Sequence, residues 1–136
     1  MKVTFGDGLK VNVDTGSFII PTDQQVAAGG NGSAPEPFTY FLASLASCAG
    51  IYVLSFCRQR GIDPEGIEIL QKPVFNPETR MISDIHLEVL LPEAFPDKYR
   101  KAIMRAVDQC AVKRHILTPP AFHIRTVKAG ELAEVM

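Results

Sequence analysis

Cys48, Cys57 and Cys110 are the side chains of this sequence with the clearest chemical potential. A thiolate is a nucleophile and a reductant, and two thiols whose Cα atoms come within about 7 Å can cycle between dithiol and disulfide. Cys48 lies at the middle of Phe38–Cys57, a run without one charged residue, among Ala43, Ser44, Ala46, Ser47, Ala49 and Gly50. Such small neighbours let another backbone approach closely. Cys110 closes a series, Tyr99, Ile103, Ala106, Val107 and Cys110, at helical spacing, so it belongs to the apolar side of its own segment and can meet Cys48 in space. The bland alternative for each thiol is packing as a small hydrophobe. For Cys57 that is the reading adopted.

Other chemistries find less support. His86, His115 and His123 have no metal-ligand spacing with the cysteines, and no metal or other cofactor is expected. Ser44, Ser47 and Ser55 stand in a helical pattern without a nucleophile elbow. Gly29-Gly30-Asn31-Gly32 is not followed by Lys-Ser/Thr, so it is not a phosphate loop. A formal net charge of −1 leaves no electrostatic footprint for nucleic acid or an anionic membrane surface. The opening MKVTFGDGLKV has charges and glycines where a signal peptide needs an apolar run. A cytoplasmic setting with reduced thiols is expected, where a bond between cysteines would be catalytic or regulatory.

The elements that must position the thiols read as follows. With 136 residues the chain suits a single domain, 1–136. Val3 and Phe5, then Leu9, Val11 and Val13, alternate with polar residues around Gly6-Asp7-Gly8, a hairpin pattern. Ser17–Ile20 is a third strand that Pro21 ends. Residues 21–36 form a glycine-rich loop, and Pro37 suits the first turn of a central helix that stops at Arg60-Gly61. Ile67–Phe75 and Arg80–Leu91 make a second hairpin about Asn76-Pro77, a second helix covers Asp97–Val112, and Ala121–Val127 is a last strand. The order β-β-β-α-β-β-α-β implies an α+β fold with helices on antiparallel sheet. Phe38–Cys57 is long enough to span a membrane, but its serines, Thr39 and two tyrosines, and its strand-patterned flanks, favour a buried core helix. A helix apolar all round is buried all round. One chain offers too little cover for it, so a homodimer is expected.

The run Gly32-Ser33-Ala34-Pro35-Glu36-Pro37-Phe38-Thr39-Tyr40-Phe41-Leu42-Ala43-Ser44-Leu45-Ala46-Ser47-Cys48 is similar to the signature of the OsmC/Ohr family around its first cysteine. Cys110-Ala111-Val112 resembles the second-cysteine motif, where Cys-Pro-Val is usual. The resemblance spans nearly the whole chain. It implies an intertwined homodimer that reduces organic hydroperoxides, with Cys48 peroxidatic, Cys110 resolving and an external dithiol as reductant. Phe38, Thr39, Phe41 and Tyr52 would line the substrate pocket. Activated members of the family ionise the thiol with an N-terminal arginine held by a glutamate. Residues 1–57 here contain no arginine, and Thr39 stands nine residues before Cys48 where that glutamate would be. Glu36, Arg114 and Arg125 are the candidate replacements. The alternative reading is a redox-inactive homodimer that binds a small apolar ligand in the same pocket.

Overall fold

The computed structural model describes residues 1–128 as two separate antiparallel sheets and three α-helices. The first sheet has the order β1-β2-β3, from Lys2–Phe5, Val11–Asp14 and Ile19–Thr22. Its first turn closes through Gly6 N–H to the Lys10 carbonyl at 2.9 Å, with Gly8 at φ 65° where a side chain would be strained. In the second turn the Asp14 carboxylate accepts from Gly16 N–H at 2.7 Å. Pro21 does not end the third strand as its type suggested; it pairs with Asn12 inside β3. It is tolerated because β3 is an edge strand, where a missing N–H costs the ladder nothing.

Residues 23–36 are held by one carboxylate. Asp23 is fully buried, and its oxygens accept from Gln24 N–H (2.8 Å), Asn31 N–H (3.2 Å), Ser33 N–H (3.0 Å) and Ser33 Oγ (2.7 Å). These bonds push its pKa down to about 2: the Ser33 hydroxyl contributes most, then Ser33 N–H, while burial opposes them. The loop is therefore a tied structure that delivers the chain to the central helix.

That helix, α1, runs Pro37–Arg58 with Pro37 at its start, and the chain turns away through Gly61 at φ 61°. Leu45, Ala49, Val53, Phe56 and Cys57 are its buried residues. Ala49 to Cys57 of that face join Phe95, Ile103 and Val107 in the main core, with the Phe56 and Tyr99 rings edge to face at 5.9 Å. The hairpin β4 (Glu68–Asn76) and β5 (Met81–Leu90) leans Ile69, Leu87 and Val89 on this cluster, which is why those positions alternate with polar ones. Only 28% of the most apolar window of α1 is buried, so its far side, including Ala43, Ser47, Ile51 and Ser55, is open in the single chain.

Two expectations are corrected. The second helix is not continuous over 97–112: a 3-10 turn at Asp97–Tyr99 leads into α2, Arg100–Val107, and α3, Ala111–Leu117, begins after a break at Asp108–Cys110. Cys110 is the N-cap of α3, leaving the helical region at ψ 118° while its sulfur accepts from Lys113 N–H at 3.4 Å. A capping group that satisfies a free N–H restarts the helix in a new direction, which apolar periodicity does not reveal. The last strand is also missing. Residues 121–127 form no ladder, with Phe122 at 85% and Ile124 at 96% exposure: an alternating pattern alone makes no strand unless an edge pairs with it. The remaining eight residues of the expected 1–136 domain lie outside the described ones.

Candidate active site

The break before α3 places Cys110 against α1. Cys48 stands between the buried face and the open side of α1, half-buried, whereas Cys110 is fully buried. The two thiols are near enough to act on one another's ionisation, and neither is in a disulfide. Burial pushes the Cys48 thiol up, but the Cys110 thiol and the backbone N–H groups of Val112 and Ala111 outweigh it, and the net pKa lies below the ordinary thiol value. Cys110 moves the opposite way: burial raises it, the Cys48 thiol raises it further, and Lys113 N–H opposes. The pair is thus divided, with Cys48 the readier thiolate and Cys110 the proton-holding donor. Cys57 is buried in the core, and burial raises its pKa despite the Arg60 charge.

Beside the thiols is a cleft of about 690 Å³, walled by Phe38, Phe41 and Leu45 of α1, Ile85 of β5, and Ile116 of α3. Phe38 and Phe41 stand 5.2 Å apart between ring centroids. Leu45 is one helical turn before Cys48, about 4.5 Å along the axis, and neither Cys48 nor Cys110 lines the cleft. At its other wall Lys113 forms an ion pair with Asp108, and both lie within three residues of Cys110.

The remaining candidates are dispersed. Thr39 is exposed outside the cleft, about two and a half turns before Cys48 and so on the opposite side of α1. Tyr52 lines a separate groove between α1 and α2. Glu36 precedes α1 and accepts from Gln25 Nε2 at 3.2 Å, joining the loop. Arg114 is on the outer surface of α3 and Arg125 in the extended terminal segment, both exposed. No guanidinium is among the influences on Cys48. Among the described residues no group of three His, Cys, Asp or Glu side chains could hold a metal ion.

Sequence reasoning missed three features. The Ala111 and Val112 N–H groups carry no side-chain signature, though an alanine where the resembling motif has proline leaves a donor that proline lacks. Asp23 and Ser33 are ten residues apart in an aperiodic loop. The Asp108–Lys113 pair spans the helix break and matches no regular spacing.

A family profile described as OsmC-like protein matches residues 30–125. Among solved structures, the chain is similar to one from Psychrobacter arcticus 273-4, provisionally described as an osmotic stress induced and detoxification response protein. That likeness has 26% identity and a TM-score of 0.68, covering 83% of this chain and 84% of that one. An organic hydroperoxide resistance protein OsmC from Legionella pneumophila shares the fold, at 19% identity, a TM-score of 0.52 and 85% coverage of each chain. A comparison with curated proteins returns no significant match.

Proposed function

The chain belongs to the OsmC-like protein family, and we propose that it is a thiol-dependent redox protein that reduces organic hydroperoxides through Cys48 and Cys110. The observation that supports this reading is the neighbouring pair of free thiols, of which Cys48, the more exposed, is the lowered member. The detoxification description of the Psychrobacter arcticus structure agrees with it.

In the proposed cycle the Cys48 thiolate attacks the outer oxygen of a hydroperoxide. The O–O bond breaks, Cys48 becomes sulfenic acid, and the alkoxide leaves as alcohol after taking a proton. The Cys110 sulfur then attacks the Cys48 sulfur, expelling water and forming a disulfide. An external dithiol returns both electrons and both protons by thiol–disulfide exchange. The apolar cleft would hold the alkyl part, with Phe41 and Leu45 aiming the peroxide along α1 toward Cys48. The Cys110 thiol and two backbone N–H groups do for the thiolate what a guanidinium does in the activated relatives that the sequence resembles. The protein acts as a homodimer in a reducing, cytoplasmic compartment.

The test is consumption of cumene hydroperoxide in the presence of a dithiol. Cys48→Ser should lose the activity to the uncatalysed rate. With the dithiol left out, Cys110→Ser should consume about one equivalent and accumulate sulfenic acid, trapped by dimedone. Equal rates for wild type and Cys48→Ser would remove the peroxidase reading. That result would favour a redox-inactive homodimer holding an apolar ligand, a reading supported by a cleft that neither thiol lines.

A further inference from the structure

A second groove, farther along the same face of α1 toward its C-terminal end and lined by neither thiol, is not used by the thiol chemistry. It lies between the last turns of α1 and α2, has a volume of about 450 Å³, and is lined by Tyr52, Ser55, Gln59, Arg60, Arg105 and Gln109, with Phe56 at its floor. No acidic residue lines it. The three ion pairs among the described residues are Lys72–Glu88, Arg100–Asp97 and Lys113–Asp108, so neither groove arginine is neutralised by one. Two guanidinium groups facing one groove in a chain of net charge −1 are a local excess, not a reflection of composition.

Arg60 is fixed in place. Its guanidinium lies 3.9 Å above the centre of the Phe56 ring, and one Nη–H donates to the Phe56 carbonyl at 3.3 Å. The Tyr99 ring flanks it at 5.8 Å. A guanidinium held flat loses little freedom when its other N–H groups engage a ligand, and its fork matches the oxygens of a phosphoryl group. Arg105 comes from α2, tied only through Nε–H to the Lys101 carbonyl at 3.5 Å. The Gln59 and Gln109 amides and the Ser55 hydroxyl add neutral donors around the same space.

We propose that the α1–α2 groove is a binding site for a small phosphate monoester carrying a planar ring, its dianion held between Arg60 and Arg105 and its ring laid against Tyr52. Two positive charges, one of them held in place, select a dianion over a monoanion, and the multiple donors suit three terminal oxygens. The aromatic wall gives the ring a surface to lie on. The site is independent of the thiol pair, and its occupant need not be a peroxide.

The experiment is a titration of the full-length, reduced protein with phenyl phosphate, followed by amide and side-chain NMR shifts. Saturable shifts confined to Ser55, Gln59, Arg60, Arg105 and Gln109 are expected. Arg105→Gln should weaken binding by about tenfold or more, the loss of a charge-assisted contact, and Arg60→Gln likewise, while Lys72→Gln on the hairpin leaves it unchanged. Arg105 is exposed and bears no core contact, so its variant remains readable if Arg60→Gln disturbs the fold. No saturable shift, or an affinity unchanged in Arg105→Gln, overturns the site. Benzoate binding as tightly overturns the dianion preference, and inorganic phosphate binding as tightly overturns the role of the ring.

Discussion

The chemistry at the level of single residues turns on which sulfur keeps its proton. Because Cys48 is lowered, its thiolate forms at a lower pH than that of an ordinary cysteine, near 8.5. Alkylation by iodoacetamide, resolved by mass spectrometry, should therefore label Cys48 first. Its rate should fall as pH drops through that lowered pKa, and Cys110 and Cys57, both raised, should lag. Equal profiles for Cys48 and Cys57 would contradict the assignment. Ala111 gives a finer test. It is the first residue of α3, where proline is well accepted, yet proline has no N–H to offer Cys48. Ala111→Pro should keep the fold by circular dichroism while slowing Cys48 alkylation near neutral pH by about fivefold, the worth of one lost hydrogen bond. Asp23 is the other titrating residue of consequence. Its folded pKa of about 2 lies below its ordinary 3.8. Its stabilisation is thus fully present above about 4 and fades as the pH falls toward 2. Asp23→Ala leaves Asn31 and Ser33 N–H groups without their acceptor. Loop cleavage by a protease should speed up, and the wild type should show the same rise only below pH 4.

At the level of elements, α1 carries both the candidate site and the surface of the proposed assembly. Its buried face, from Leu45 to Cys57, is fully engaged with the chain's own core. Ala43, Ser47, Ile51 and Ser55, each four residues on from the last, make an exposed stripe of mostly small side chains. In the proposed homodimer Ala43, Ser47 and Ile51 of this stripe pack against the partner's helix, and Ser55 stays at the α1–α2 groove. Ile51→Glu would bury an unpaired carboxylate there, so dimer affinity should fall by at least about a hundredfold in sedimentation equilibrium. An unchanged dimer would place the interface elsewhere. The second element of importance is the restart at Cys110. Had the helix continued through 97–112, Cys110 would lack the non-helical backbone that caps α3, and Ala111 and Val112 would not present free N–H groups to Cys48.

For the molecule as a whole, the single chain leaves much apolar surface uncovered. Val3, Phe5, Phe18 and Ile19 of the first sheet, Phe75 and Met81 of the second hairpin, and Phe122 and Ile124 beyond α3 are all exposed. The Tyr40 hydroxyl, donating to the Pro21 carbonyl at 2.8 Å, is one of the few ties between the first sheet and α1. Exposed apolar side chains in this number are consistent with the proposed homodimer. The alternation Phe122, His123, Ile124, Arg125 is that of a strand awaiting an edge, and β1, β3, β4 and β5 each have a free one. Hydrogen exchange should accordingly protect residues 121–127 at micromolar concentration and release them on dilution to monomer. Equal exchange at both concentrations would leave that segment out of the assembly.

Local rules were enough to place, within one or two residues, the strands found at 2–5, 11–14, 68–76 and 81–90 and the 22-residue helix after Pro37. Each depends on neighbours in the chain: alternation, turn glycines, a first-turn proline, an apolar run. The two motif-bearing thiols were also legible, and their role belongs to the proposed function. Four things were beyond local rules. Pro21 sits inside a strand because β3 is an edge, the helix over 97–112 is cut by a thiol cap, Ala121–Val127 forms no strand without a second edge, and Tyr52 faces a different groove from Phe38 and Phe41. The same holds for what tunes Cys48. Glu36, Arg114 and Arg125 were sought by residue type, but the groups that lower Cys48 are a thiol and two main-chain N–H bonds. Every residue but proline carries such an N–H, so only tertiary packing decides which of them meets a sulfur.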